Sequence, residues 1–341
     1  HAFAVTAIAE TSPEKWLETH LKKGERLGYD SNLHTPTQVE RLQKAVAAAG
    51  GELVACDSNP IDAIWSDRPP APCAPVRLHP ARYAGETAAR KLARIAAALT
   101  GDALLVSDPH AMAWAFNIRG GDVAHTPLPL GFALIEKDGA ARLYLDPRKL
   151  DEKTAAALGA LATLRTPADL DRDLDALGRA GRKLRFDSAT APMRLVALLR
   201  EAGGVADVGE DPIAAMKARK NAAELKGARA AHMRDGVAAT RFLAWFSGAA
   251  AGGRLTEIEA AQALETFRRE TGKLADLSFP TISAAGAHAA SPHYRVTEAS
   301  NARIGRGLYL VDSGAQYSDG TTDITRTIAV GAPSAEMRDR F

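Results

Sequence analysis

An apolar run, Leu308-Tyr309-Leu310-Val311, ends in Asp312. A turn-rich patch follows, and a second run from Thr321 carries Asp323 near its start. If the two runs pair as a hairpin, both acids lie on neighbouring strands. A turn centred on Tyr317-Ser318 sets them opposite each other. A turn at Asp319-Gly320 makes them diagonal or demands a bulge. Either arrangement brings two carboxylates within reach of one site. Carboxylates held that close repel and do not both stay ionised without compensation. A divalent cation is the natural compensation, and oxygen donors favour hard ions such as Mn²⁺ or Mg²⁺. The competing reading has one acid capping a turn and the other facing water, since Asp is a common turn residue. Spacing alone leaves both open.

His293 is the second candidate. It follows Ser291-Pro292 in a loop ahead of the Asp312 strand, where a histidine can stabilise developing charge or move a proton. A solvent-exposed histidine with no role fits the same position. His288 is close by with a weaker case, and His232 reads as a helix-face residue. Asn117 to Pro127 packs Arg119, Asp122 and His125 among Gly and Pro, as either a binding loop or a structural turn. No Gly-x-x-x-x-Gly-Lys-Ser/Thr loop, His-Glu-x-x-His pair or Gly-x-Ser-x-Gly elbow occurs.

The elements that position these residues are legible. Ser12-Pro13, Thr35-Pro36 with Gln38, and Asp108-Pro109 start helices, and Gly50 ends one. Strands are predicted over 26–30, 52–55, 103–106 and 184–187, with a hairpin at Asp138-Gly139. A helix is expected over 83–99 and another near 193–202. Asn221 with Glu224 and Thr256 with Glu259 are capping boxes opening helices that reach about Ser247 and Gly272. Strands at 278–283, 307–312 and 321–330 follow, with a helix from Ser334. Four prolines within Pro69–Pro75 mark a linker.

These elements predict α/β and α+β architecture in three parts: 1–72, 76–212 and 213–341. Apolar residues at 46% and charged residues at 25% exclude a disordered chain. A net charge of +2 argues against a nucleic-acid face. No apolar stretch is long enough to span a membrane. The two cysteines, Cys56 and Cys73, make no disulfide framework, which fits a reducing, cytoplasmic setting. His1 begins the chain and Phe341 ends it just after a strand-like run, so both ends are expected to be cut from something longer.

Asp312-Ser313-Gly314-Ala315-Gln316-Tyr317 followed by Asp319-Gly320-Thr321-Thr322-Asp323-Ile324-Thr325-Arg326-Thr327 resembles the first metal-ligand block of the three-domain, cytosolic-type Xaa-Pro aminopeptidases (aminopeptidase P) of the pita-bread metallopeptidase family. Ser278–Ser283 with His293-Tyr294, and Lys217–Ala238, resemble neighbouring blocks. Ile64–Pro69 and Trp114–Pro127 resemble earlier landmarks.

The resemblance implies that 1–72 ends a first creatinase-like α/β domain. It implies that 76–212 is a second such domain and that 213–341 opens a pita-bread catalytic domain. It further implies two divalent ions, most often Mn²⁺, with Asp312 binding one and Asp323 bridging or binding both. His293 matches the histidine that contacts substrate. The implied reaction releases the N-terminal residue of peptides with proline second, through a hydroxide bridging the ions, in a full-length homodimer. The family completes its site with one His and two Glu further along the chain. Beyond Asp323 this sequence has no His, and its only Glu is Glu336. The fragment alone is therefore expected to be inactive. Alternatives are a non-catalytic pita-bread binding protein and a prolidase- or creatinase-type hydrolase.

Overall fold

The computed structural model describes residues 4–340. They form two compact units. One comprises residues 4–78, Thr87–Gly120 and Leu128–Arg219, and the other His79–Glu86, Gly121–Pro127 and residues 220–340.

The first unit is built on a six-stranded mixed sheet. Its order is Val205–Gly209, Lys183–Asp187, Ala103–Val106, Phe132–Glu136, Ala141–Tyr144 and Thr163–Arg165. Strand Ala103–Val106 is buried along its whole length. Because successive side chains of a strand point to opposite faces, it serves two cores. Leu104 and Val106 pack with Ile95, Met112 and Phe116, while Ala103 and Leu105 pack with Leu174, Phe186 and Leu195. Each of the Leu, Ile, Val, Met and Phe side chains among them, fully buried, stabilises by about 1.5–3 kcal/mol. The Asp138-Gly139 hairpin forms as expected, with Gly139 at a φ of 92° that favours glycine. A smaller parallel pair, Arg26–Tyr29 with Glu52–Ala55, is backed by helices Pro13–His20 and Pro36–Ala48 through Leu17, Ala45 and Val46.

Asp211 caps helix Pro212–Ala218 by accepting the Ile213 N–H. Burial pushes its carboxyl up to about 6. The Ile213 hydrogen bond opposes the rise, and the charges of Asp187 and Asp108 add to it.

The second unit carries two long helices, Ala222–Ala249 and Glu257–Arg269. Both open with the expected capping boxes, Asn221 with Glu224 and Thr256 with Glu259. Phe242 and Phe246 of the first helix and Leu264 of the second pack on Tyr309 and Val311. Those two belong to the central strand, Gly307–Ser313, of an antiparallel sheet flanked by Ile282–Ala285 and Ile324–Val330. A second small sheet orders Asp276–Leu277, Ala315–Tyr317 and Gly320–Thr321.

Three expected elements differ. The helix over 83–99 is two helices, Ala81–Ala84 and Ala88–Ala98. Gly85 turns left-handed at φ 70° and ends the first, and Thr87 caps the second. The strand over 278–283 is interrupted between Leu277 and Ile282, where Pro280 offers no N–H to a ladder. The strand over 321–330 breaks at Thr322-Asp323.

Candidate metal centre

The ladder that carries the two acids keeps one register throughout. Asp312 lies opposite Thr325, Ser313 opposite Ile324, Gln316 opposite Thr321 and Tyr317 opposite Gly320. The reversal therefore falls at Ser318-Asp319, between the two turn positions expected. Asp323 precedes Thr325 by two residues. The acids are thus diagonal neighbours on one face of the sheet.

Gly314, between Asp312 and the turn, allows a close approach. A Cβ there would collide with the Thr322 carbonyl oxygen and the Ser278 hydroxyl. Gly227 does the same for the turn, since a Cβ on it would strike the Asp319 carbonyl. The Asp319 carboxylate receives Arg234 Nη1 and Nη2 at 3.0 and 2.9 Å, which anchors the turn to helix Ala222–Ala249.

The carboxyl groups of Asp312 and Asp323 are near enough for the charge of one to bear on the other. Loss of water pushes the Asp323 carboxyl above the usual carboxylate range, and the Asp312 charge and hydrogen bond add to it. Asp312 Oδ1 is buried and has no hydrogen-bond partner. A buried acceptor left unpaired calls for a partner. Two carboxylates with one orphaned oxygen are a donor set suited to a hard divalent ion. Among the described residues, no group of three or more His, Cys, Asp or Glu is placed to hold a metal. Asp312 and Asp323 therefore fit as part of a metal's ligand set.

His293 is exposed, and no hydrogen bond to a described residue ties it to either acid. Its segment is held at both ends by a residue the sequence reading passed over, Glu257, which is 0% exposed. Glu257 Oε1 accepts from Ala285 N at 2.7 Å and pairs with His288 Nδ1 at 2.8 Å. Its Oε2 accepts from Ala302 N and Tyr294 OH, both at 3.0 Å. Burial opposes ionisation of Glu257. The N–H groups of Ala302 and Ala285, with His288 and Tyr294, outweigh it and hold the carboxyl below its usual range. His288 thus serves structure, stacked on Tyr294 at 4.5 Å. The only sequence signal for Glu257 was its place at the start of a capped helix.

The Asn117–Pro127 segment holds the only non-glycine residues with positive φ among those described, Asn117 at 50° and His125 at 60°. The His125 carbonyl accepts from Gln316 Nε2 at 2.9 Å, and its Nδ1 lies 3.6 Å from Asp276 Oδ1. His232 bonds back to the Ala228 carbonyl on its own helix.

Residues 67–224 match the model of the creatinase/prolidase N-terminal domain, and residues 226–341 match that of metallopeptidase family M24. A probable Xaa-Pro aminopeptidase P from Sordaria macrospora is 37% identical over 96% of this chain and 56% of its own length. One from Neurospora crassa is 35% identical over 96% of this chain and 50% of its own length. The chain thus spans about half the length of the curated relatives it matches. Among solved structures, X-prolyl aminopeptidase from Caenorhabditis elegans, described as a cytosolic enzyme with a di-nuclear active site, superposes with a TM-score of 0.89. It is 30% identical over 95% of this chain and 54% of that one. A Xaa-Pro dipeptidase from Bacillus anthracis gives a TM-score of 0.58 at 25% identity, over 74% of this chain and 68% of that one.

Proposed function

Because the chain belongs to metallopeptidase family M24, with a creatinase/prolidase N-terminal domain ahead of the peptidase module, we propose that its complete gene product is an Xaa-Pro aminopeptidase. It would release the N-terminal residue from peptides with proline in second place. The reading rests on one observation above the rest: the strand register makes Asp312 and Asp323 diagonal neighbours, and Asp312 Oδ1 is buried without a partner. The proposed layout is a first creatinase-like part to residue 72, a second over 76–212 and the opening of the pita-bread domain from 213. The proposed setting is the cytoplasm and the proposed assembly a homodimer. Among the described residues, no helix is long and apolar enough to cross a membrane.

Asp312 and Asp323 would hold two divalent ions, with Mn²⁺ our choice among hard cations, alongside ligands from outside this chain's described residues. Such ions, when bound, lower the pKa of water and polarise the scissile carbonyl. The acids' own part follows from their environment. Partial burial and mutual repulsion make the empty pair unfavourable as two anions. A cation would relieve the pair, and the paired strand Gly307–Ser313 sets Asp312 in a fixed geometry. His293 donates a hydrogen bond to the oxygen on which negative charge develops. Its exposure leaves the ring free to meet substrate. Proline at the second position makes the scissile amide tertiary, with no N–H to recognise. Selection must therefore come from the free amine and from the shape of the site.

The test is an assay of the complete gene product on an Xaa-Pro-Xaa tripeptide and on an Xaa-Pro dipeptide, with and without a chelator. Chelator-sensitive release of the first residue from the tripeptide supports the reading. Turnover confined to the dipeptide identifies a prolidase instead. No turnover of either leaves the binding-protein alternative standing.

A further inference from the structure

We propose that the buried pair Asp235–Arg268 is the positioning centre for the two metal-site acids, so that metal affinity as well as stability depends on its contacts. The inference rests on the reading of Asp312 and Asp323 as ligands.

Arg268 is 0% exposed and Asp235 is 3% exposed. The guanidinium meets the carboxylate as a fork, with Nε to Oδ1 at 2.8 Å and Nη2 to Oδ2 at 3.0 Å. Arg268 Nη1 then donates to Ser313 Oγ and, at 3.3 Å, to the Gly314 carbonyl. Asp235 accepts Thr322 Oγ1 on Oδ2 and Tyr317 OH on Oδ1, each at 2.9 Å. Ser313 directly follows Asp312, and Thr322 directly precedes Asp323. Side chains alternate along a strand. Ser313 and Thr322 therefore face the helices while the two acids face the other way. One rigid charge pair grips the chain next to each acid, from behind.

Two features separate this from ordinary core packing. Apart from the bonds within the pair, every side-chain hydrogen bond of Asp235 and Arg268 to a described residue ends within residues 313–322. A buried ion pair is also a weak source of stability compared with apolar residues of similar volume. Its contribution lies in fixing geometry. Further bonds stiffen the same backbone. Thr281 and Ser313 share a hydroxyl contact at 2.8 Å, Ala315 N donates to Thr322 Oγ1 at 3.0 Å, and Ser278 Oγ donates to the Thr322 carbonyl at 3.0 Å.

The test is titration of the metal-free complete gene product with Co²⁺, followed by visible absorption, which reports both affinity and ligand geometry. Breaking the charge pair risks unfolding, so the decisive variant leaves it whole and removes the two hydroxyls it holds beside the acids: Ser313→Ala with Thr322→Val. The expected result is an affinity about 10- to 100-fold weaker, the usual cost of losing support behind a ligand. An altered Co²⁺ spectrum should accompany it, and the melting temperature of the metal-free protein should fall no further than that of the core variant Phe246→Leu. Thr322→Ser alone keeps the hydroxyl and should bind Co²⁺ like the wild type. Phe246→Leu, in the core away from the pair, should lower the melting temperature without changing affinity. A double variant that binds Co²⁺ with wild-type affinity and spectrum overturns the proposal. So does an affinity loss that Phe246→Leu reproduces. A wild type that binds no Co²⁺ removes the metal reading itself, and the proposal with it.

Discussion

As the proposed metal ligands, Asp312 and Asp323 would face opposite demands before and after a cation arrives. Without one, two carboxyls within reach of each other resist joint ionisation, and Asp323 holds its proton above the usual range. Asp323→Asn should therefore raise the melting temperature of the metal-free protein at neutral pH, because it removes a like charge. The same change should lower kcat/KM by more than the roughly 10- to 100-fold typical of residues behind the ligands. Calorimetry and steady-state kinetics on one preparation check both signs. His293→Ala should reduce kcat by about 10²–10³, the scale of one lost oxyanion donor, and leave metal content unchanged. The two acids were legible in the sequence because a strand ending in Asp, a turn and a second Asp are all local. The buried pair behind them was not. Arg268 lies 33 residues from Asp235 and 45 from Ser313 in the chain. No local spacing in the sequence joins them.

Caps and turns were the most legible elements, since Pro, Gly, Asn and Thr act on their own neighbours. Both capping boxes of the second unit formed at the residues named, and the hairpin at Asp138-Gly139 formed as well. Continuity was less legible. Gly85 and Pro280 each broke an element whose apolar pattern ran on past them. The clamp by Glu257 is an element-scale device, fastening both ends of the segment that carries His293. Glu257→Gln should loosen that segment. Hydrogen exchange over 286–302 should quicken and KM should rise, with metal content retained. Asp211 gives a second element-scale prediction. Its folded pKa of about 6 lies above the unfolded value near 3.8. Between those values the unfolded chain has lost a proton that the folded chain keeps. Stability should therefore fall as pH rises from about 4 to about 6, and level off above. Asp211→Asn keeps a cap for helix Pro212–Ala218 and should flatten that slope in urea titrations across the window.

At the scale of the molecule, the Pro69–Pro75 stretch carries no regular structure up to Val76, and helix Ala222–Ala249 lies in the unit that holds both acids. The six-stranded sheet and its two cores were legible only as separate strands, because its order joins segments as distant as Ala103–Val106 and Lys183–Asp187. The account as a whole stands on the two acids acting together in a metal peptidase. The most direct measurement is the metal content of the complete gene product purified from Mn²⁺-supplemented cells, beside Asp312→Asn/Asp323→Asn. Release of the first residue from an Xaa-Pro-Xaa peptide is to be followed on the same samples. The account predicts about two Mn²⁺ per chain with activity in the wild type, and loss of both in the variant. A variant that keeps its metal and still cleaves the peptide would contradict it.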